Sequence, residues 1–193
     1  DLLGGKCREA AMVYRHADGR DPKEVLDNVL KYQAEGALAV RCQMGGYGGR
    51  HARDLRPEGA PEGAYYDPRA YMRNMIKMIE TVRVSLGDEI ELLHDIHERL
   101  SPIDAVGFAK AVEPFNLFFL EDALAPEDIE WFAPMRATCT TPLAMGELFN
   151  NPREWQPLIA NTLIDFLRMH VSQMGGITPA RAVTLFANMF GVR

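Results

Sequence analysis

Short apolar runs and longer mixed stretches alternate along the whole chain. A short unbroken apolar run is typical of a strand buried on both faces of a parallel sheet. The mixed stretches between the runs have apolar residues at the spacing of amphipathic helices. This alternation predicts an α/β fold in which a helix follows each strand. The six predicted strands span residues 11–16, 38–42, 90–95, 115–121, 142–147 and 163–168.

The predicted helices share a starting signal, which is a side chain that can cap a helix followed directly by proline. The capping side chain can accept a hydrogen bond from the first turn, and proline suits the first helical position. Glycines that favour helix ends stand at Gly36, Gly87 and Gly191. The capping pairs are Asp21-Pro22, Asp67-Pro68, Ser101-Pro102, Asn151-Pro152 and Thr178-Pro179.

Six strand-helix units in 193 residues average about 32 residues each, close to the unit size of the eight-unit TIM barrel, which takes roughly 250 residues. We therefore predict one domain, residues 1–193, that forms an incomplete TIM-type barrel of about six units without strands 7 and 8. A doubly wound open sheet is the structural alternative, but no G-x-G-x-x-G turn follows any predicted strand.

The composition is that of a globular protein, with 47% hydrophobic and 25% charged residues. A formal net charge of −6 and the lack of a Lys/Arg run argue against a nucleic-acid partner. No apolar run approaches the roughly 18 residues that cross a bilayer, and we predict a cytoplasmic protein without a membrane partner. Cys7, Cys42 and Cys139 lack C-x-x-C spacing and are predicted to be buried free thiols.

Three acids stand at equal intervals of 26 residues, each at the end of a predicted strand: Asp95, Glu121 and Glu147. Because the carboxyl ends of barrel strands meet at one rim, these side chains are predicted to converge there. Their hard oxygen atoms suit Mg²⁺, which would also offset the repulsion between like charges. The alternative is that each acid only caps a helix or lies in a solvated loop. Ser101 and Pro126 offer separate helix starts downstream, which favours the metal site.

Other polar residues are predicted to lie on the same rim. His97 comes two residues after Asp95, so it would share the face of Asp95 if the strand continues, and it is a candidate acid or base. His94 would point towards the helical layer and is predicted to be structural. His16 and Arg168, at the ends of strands 1 and 6, would supply a hydrogen-bonding group and a cation.

The longest connection, residues 43–66, follows strand 2 and is rich in glycine. Loops of this length are usually active-site lids or disordered segments, and its position predicts that it lies on the catalytic rim. Arg41 ends strand 2, and Tyr47 follows in the loop. A guanidinium near a phenol lowers the phenol pKa by favouring phenolate, so the pair could supply a base.

Five sequence motifs are distributed over nearly the whole chain. They are YRHADG at 14–19, HDIHERL at 94–100, FFLED at 118–122, MGELFN at 145–150 and IDFLR at 164–168. In sequence and in order these motifs resemble the enolase superfamily and, within it, the mannonate dehydratase group that includes proteins called starvation-sensing.

The resemblance implies a role for each candidate residue. Asp95, Glu121 and Glu147 would bind Mg²⁺. His97 would protonate the departing hydroxyl group, and Arg41 would partner a loop tyrosine that acts as the base.

The resemblance also implies which groups meet the substrate. Tyr47 is assigned as the base, with Tyr65 and Tyr66 as rivals. His16 and Arg168 would hold the substrate, together with the metal ligand Glu147.

The activity implied by the resemblance is the Mg²⁺-dependent dehydration of a sugar acid, D-mannonate first, to 2-keto-3-deoxy-D-gluconate. The reaction would remove the proton α to the carboxylate and expel the 3-hydroxyl group. Another aldonate, D-gluconate or D-altronate, is one alternative, and a truncated member with a regulatory role or none is the other. The family also uses a seventh strand and an N-terminal capping domain, so a fragment could keep the metal site yet fail to turn over. A homo-oligomer is expected for a full-length form.

Overall fold

The computed structural model describes residues 4–6, 8–45, 58–62 and 66–193. In these ranges the chain forms one sheet of six parallel strands in the sequential order β1 to β6, with a helix after each strand. The predicted α/β fold of six strand-helix units, an incomplete TIM-type barrel, is confirmed. The strands are β1 (Arg15–Gly19), β2 (Ala39–Met44), β3 (Glu91–Asp95), β4 (Phe119–Glu121), β5 (Leu143–Met145) and β6 (Phe166–Leu167).

Six α-helices in the described ranges pack outside this sheet. Short 3-10 helices, Glu113–Phe115 and Pro126–Trp131, precede β4 and α4. None of the described helices is long and apolar enough to pass through a bilayer. The helices are α1 (Pro22–Ala34), α2 (Pro68–Leu86), α3 (Pro102–Val112), α4 (Phe132–Thr138), α5 (Pro152–Ala160) and α6 (Ile177–Met189).

The predicted helix caps are confirmed at three of the five starts. The side chains of Asp21, Asp67 and Asn151 each accept a hydrogen bond from a backbone N–H of the first turn. Ser101 occupies the cap position, but its hydroxyl donates to the Asp104 carboxylate instead. The predicted start at Thr178 is wrong, because α6 begins at Ile177 after Gly176.

The predicted bounds of two strands are wrong in a way that affects the site. The apolar residues Ala11, Met12 and Val13 are exposed and do not form a buried strand. Strand β1 instead runs from Arg15 to Gly19. His16 is therefore the second residue of β1 and does not end it. Similarly, β2 continues to Met44, so Arg41 lies in the middle of its strand.

The side chains of each strand alternate between two apolar clusters, as the period of two requires. Ala39, Leu93, Phe119 and Ala144 form a small cluster on the inner face of the sheet. The residues between them, such as Leu92 and Leu120, belong to a larger core under the helices. Position in this alternation decides which polar side chains reach the interior of the barrel.

His94 faces the helices, as predicted, and has a structural role. Its ring lies 3.0 Å from the Tyr71 hydroxyl and 2.9 Å from the Cys42 carbonyl oxygen. Burial lowers the pKa of His94 to about 4, so the imidazole is neutral near pH 7. Cys42 and Cys139 are buried free thiols, as predicted, whereas Cys7 lies outside the described residues.

Arg83, buried near the end of α2, joins the helix to the segments that lead into β3 and β4. Its guanidinium donates to the carbonyl oxygens of Gly87 at 2.7 Å, Ile90 at 3.1 Å, Phe115 at 2.8 Å and Asn116 at 3.0 Å. These four acceptors precede the two strands that end in Asp95 and Glu121.

We expect Arg83→Met to lower the free energy of unfolding by about 3 kcal/mol, because four carbonyl groups, one buried and three partly buried, lose a charged donor. Arg73→Met, at an exposed position of the same helix, should change it by less than about 0.5 kcal/mol. Urea titration followed by circular dichroism measures both values. Equal stability of the two variants would contradict the role given to Arg83.

Candidate metal and substrate site

The carboxyl ends of β3 and β4 each place an acid on the inner face of the sheet. Asp95 and Glu121 are the last residues of their strands and are register partners. Both are 0% exposed. Their position follows from the alternation, because Leu93 and Phe119, two residues earlier, belong to the inner cluster.

Glu147 reaches the same rim from the turn after β5. The preceding Gly146 has a φ of +140°, and a Cβ at this position would lie 2.8 Å from the Arg168 carbonyl oxygen. Only glycine allows the chain to turn this close to the end of β6. The turn holds Glu147 partly buried beside Arg168, as its ion pair shows.

Among the described residues, Glu121, Asp122 and Glu147 form an acidic cluster whose ligand oxygens lie within 4.8 Å of one another. Asp122 is 1% exposed, and its Oδ1 atom has no hydrogen-bond partner in the described structure. The sequence analysis missed Asp122, because strand alternation would turn it away from Glu121. Its backbone has a φ of +41°, which ends the strand and frees the side chain from that alternation.

The structure brings two of the three predicted metal ligands together, Glu121 and Glu147, and gives the third a different contact. The Asp95 Oδ2 atom lies 2.9 Å from Nη1 of Arg41, and both side chains are buried. Asp95 still adjoins the cluster, because it is the strand neighbour of Glu121 and raises the Glu121 pKa. Its role as a ligand stays a prediction.

Burial and mutual repulsion disfavour negative charge in this cluster. Burial, followed by the charge of Asp95, raises the pKa of Glu121 to about 7. Burial, followed by the charge of Glu121, raises the pKa of Asp122 to about 8. Clustered carboxylate oxygens that need positive charge, one of them buried without a hydrogen bond, are the donor set of a hard cation such as Mg²⁺.

Arg168 supplies positive charge at the edge of the acidic cluster. Its guanidinium forms an ion pair with Glu121 through Nε and with Glu147 through Nη1, the latter at 3.0 Å. Nε also donates to the Tyr14 hydroxyl at 2.8 Å, and that hydroxyl lies 3.4 Å from Glu121 Oε2. Arg168 follows β6 directly, so it lies on the predicted rim.

Tyr14 is a second residue of the site that the sequence analysis did not identify as functional. It precedes β1, and its ring stacks on His16 with the ring centroids 5.5 Å apart. Burial, followed by the charge of Glu121, raises the Tyr14 pKa, which keeps the hydroxyl protonated. In the sequence, Tyr14 is recognisable only as an aromatic residue next to a strand. This feature is as typical of core packing as of a functional site.

His16 and Arg41 meet on the inner face of the sheet, although neither residue ends its strand as predicted. Nη2 of Arg41 lies 3.3 Å from Nδ1 of His16, and the two residues are register partners. Partial burial, followed by the charge of Arg41, lowers the pKa of His16. A neutral His16 can therefore accept or donate a hydrogen bond near pH 7.

His97 does not share the face of Asp95 through strand alternation, as predicted for a continuing strand, because β3 ends at Asp95. His97 and Glu98 both have left-handed backbone conformations, with φ of 56° and 54°. Hydrogen bonds from the Ile96 N–H to the Glu121 carbonyl and from the Glu98 N–H to the Asp122 carbonyl hold this turn against the end of β4. The turn keeps His97 beside the rim, and its acid role stays a prediction.

Of the three tyrosines predicted as candidates for the base, only Tyr66 lies among the described residues. Tyr47 and Tyr65 lie outside the described residues. The Tyr66 hydroxyl donates to the Arg99 carbonyl oxygen at 2.7 Å, and burial raises the Tyr66 pKa to about 12. A phenol in that state is a poor base near pH 7, which disfavours Tyr66.

The fold and the site define the class, an α/β barrel with clustered carboxylates where its strands end. A family model described as "Enolase C-terminal domain-like" matches residues 25–193. The chain belongs to this family.

Proteins of similar sequence match the chain over its full length. A D-galactonate dehydratase family member from Enterocloster bolteae is 50% identical over 196 residues, which is 100% of this chain and 48% of that protein. The D-galactonate dehydratase family member RspA from Pantoea ananatis is 46% identical over 210 residues, 100% of this chain and 50% of that protein. The chain thus spans about half the length of these relatives.

A crystal structure of an enolase from Pantoea ananatis contains bound D-gluconate and Mg. It superposes with a TM-score of 0.91 at 45% sequence identity and covers 100% of this chain and 50% of that chain. The narrower resemblance to the mannonate dehydratase group is not specifically shown by any of these relatives.

The raised carboxyl pKa values predict how stability depends on pH without a divalent metal. Between the ordinary values of 4.5 and 3.8 and the raised values of about 7 and 8, the folded chain binds protons that the unfolded chain has released. The free energy of unfolding should therefore fall as pH rises from about 5 to 8, by up to about 1.4 kcal/mol per pH unit for each carboxyl.

Urea titrations in EDTA at several pH values measure this slope. Glu121→Gln should make it shallower, whereas Glu130→Gln, at an exposed position, should leave it unchanged. Stability that rises between pH 5 and 8 in the wild-type protein would contradict the assigned electrostatics.

Proposed function

We propose that this chain carries the metal and substrate groups of a Mg²⁺-dependent sugar acid dehydratase acting on an aldonate. The observation that carries the proposal is the acidic cluster of Glu121, Asp122 and Glu147 beside Arg168, in a chain of the enolase C-terminal domain-like family. Relatives named for D-galactonate dehydratase and a neighbour with D-gluconate and Mg support the substrate class.

We place D-gluconate ahead of D-mannonate as the substrate. The prediction of D-mannonate finds no support in the relatives, whereas D-gluconate, an alternative in the sequence analysis, is bound in a neighbour at 45% identity. The two acids differ only in configuration at C2, so loss of the C2 proton and the 3-hydroxyl group gives the same 2-keto-3-deoxy acid from either one. A single fixed base would reach the C2 proton of only one of them when both bind in the same way.

Glu121 and Glu147 would hold the cation in this proposal. The third oxygen would come from Asp122, which lies in the acidic cluster, or from Asp95, which the family resemblance names. Bound Mg²⁺ supplies positive charge that stabilises the negative charge developing on the substrate carboxylate. Arg168, which pairs with Glu121 and Glu147 at the edge of this cluster, would then be free to bind the substrate carboxylate through its guanidinium.

The remaining groups divide the proton transfers between them. A base, assigned to Tyr47 with Arg41, removes the proton from C2 of the aldonate. His97, as imidazolium, gives a proton to the hydroxyl that leaves C3, so the products are one water and an enol that becomes the 2-keto-3-deoxy acid. Arg168 and His16 orient the carboxylate and hydroxyl groups, since one is a fixed cation and the other a neutral hydrogen-bonding ring.

The other expectations about the whole protein remain proposals. They are a single partial barrel domain over residues 1–193, a cytoplasmic location, no nucleic-acid or membrane partner, and a homo-oligomeric full-length form.

The proposal is tested by incubating the full-length protein with a library of aldonates and Mg²⁺ and detecting 2-keto-3-deoxy acids by mass spectrometry. We expect product from D-gluconate or a close epimer, and none when EDTA removes the metal. His97→Asn should lower kcat at least about 100-fold, because a general acid contributes roughly that much or more. Its Mg²⁺ affinity, measured by calorimetry, should stay within about twofold.

Two results would contradict the proposal. Failure of the wild-type protein to bind or convert any aldonate in the library would reject the substrate class. Unchanged product formation by His97→Asn would reject His97 as the acid while leaving the substrate class in place.

A further inference from the structure

Gln43 is a buried polar residue that the proposed reaction does not use. In β2, Ala39 belongs to the inner cluster, Arg41 contacts Asp95 across the inner face, and Val40 and Cys42 pack under the helices. Gln43 therefore points to the inner face, two residues closer than Arg41 to the carboxyl end of the strand.

The strand register places Gln43 at the level of the acids. Its partner in β1 is Asp18. Arg41 is paired with Leu93 of β3, so the same register continued by two residues brings Gln43 level with Asp95. Asp95 in turn is paired with Glu121. Gln43 thus belongs to the layer of side chains in which the candidate site lies.

The amide of Gln43 has no hydrogen bond within the part of the chain that the structure describes. The side chain is 1% exposed, and neither Oε1 nor Nε2 has a partner there. Buried polar groups are nearly always hydrogen-bonded, because leaving a donor or an acceptor unpaired costs its full desolvation free energy. A buried amide with both ends unpaired, in a site built from charged groups, is suited to meet a ligand.

The chemistry of an amide restricts which ligand group satisfies both of its ends. Nε2 donates and Oε1 accepts, so a carboxylate could pair only with the first and a metal ion only with the second. A hydroxyl group both donates and accepts. Adjacent hydroxyl groups on a sugar chain can engage both ends of one amide.

We propose that Gln43 binds a hydroxyl group of the sugar acid and thereby selects among substrates that differ along the polyol chain. This inference rests on the proposed aldonate chemistry and adds a specificity residue to it. A site built to pair with a substrate hydroxyl discriminates strongly against analogues without it, because its own polar group then stays unpaired.

The test compares the wild-type full-length protein with Gln43→Met, which keeps the length of the side chain and removes both hydrogen-bonding ends. Calorimetry with Mg²⁺ present measures the Kd of D-gluconate and of analogues that each lack one hydroxyl group. We expect Gln43→Met to bind D-gluconate about 10-fold more weakly. The analogue that lacks the hydroxyl group bound by Gln43 should bind the wild-type protein more weakly than D-gluconate does. Gln43→Met should bind this analogue and D-gluconate with equal affinity.

Two further readouts separate substrate recognition from other roles of Gln43. The affinity for Mn²⁺ alone should be the same in both proteins, and the melting temperature of ligand-free Gln43→Met should equal or exceed that of the wild type. Gln156→Met, at an exposed position of α5, serves as the matched control and should change none of these values.

The inference is overturned by any of three results. They are an equal affinity loss for every analogue, a weakened Mn²⁺ affinity, which would make Gln43 a metal ligand, and a melting temperature lower by more than about 4 °C, which would show that the amide is paired within the fold. Failure of the wild-type protein to bind any sugar acid would instead reject the proposed function itself. The two proposals can therefore fail separately.

Discussion

Burial of negative charge at one end of the parallel sheet is the constraint on which the rest of this structure depends. Asp95, Glu121 and Asp122 are buried next to one another. Desolvation and repulsion raise the pKa of Glu121 and of Asp122. Two cations offset this charge. Arg41 pairs with Asp95, and Arg168 pairs with Glu121. Removing one partner of such a buried pair leaves an uncompensated charge, so acids and arginines must be retained together.

The backbone at the rim is shaped to hold these side chains close. Three non-glycine residues of the rim, His97, Glu98 and Asp122, have left-handed backbone conformations. Each of these conformations costs free energy that surrounding contacts must offset. The turn after β3 recovers part of this cost through two hydrogen bonds to the end of β4. Strain of this kind at the ends of parallel strands is typical of functional sites, since a site must hold groups that would otherwise separate.

The same geometry explains why the two faces of one strand differ in function. His94 and Asp95 are adjacent, yet His94 is a neutral structural residue under the helices and Asp95 is part of the charged rim. The difference arises from the alternation of side chains, which turns His94 towards the helical layer and Asp95 towards Arg41.

Much of the fold, and the inward direction of two acids of the site, follow from local signals in the sequence. Asp21, Asp67 and Asn151 were recognisable caps because a cap depends only on the next few residues. The alternation of strands and helices and the inward direction of Asp95 and Glu121 were likewise local properties. The start of β1 was misplaced because residues 11–13 are apolar yet exposed, and burial is decided by distant parts of the chain.

Residues whose position depends on long-range packing could not be predicted in the same way. The Arg41–Asp95 pair joins residues 54 positions apart, and the Tyr14–Arg168 hydrogen bond joins residues 154 apart. Asp122 reaches the acidic cluster through a left-handed backbone conformation, which its sequence neighbours do not indicate. Gln43 is conspicuous only because its amide is buried without a partner among the described residues.

Binding of a divalent cation by the acidic cluster of Glu121, Asp122 and Glu147 can be measured directly. The most direct measurement is an anomalous difference map from crystals of the full-length protein grown with Mn²⁺ in place of Mg²⁺. We expect one peak bound by carboxylate oxygens of Glu121 and Glu147, with the third carboxylate identified from the same map. A map at saturating Mn²⁺ without a peak at these residues, and with the Arg168 guanidinium still paired with Glu121, would contradict the claim.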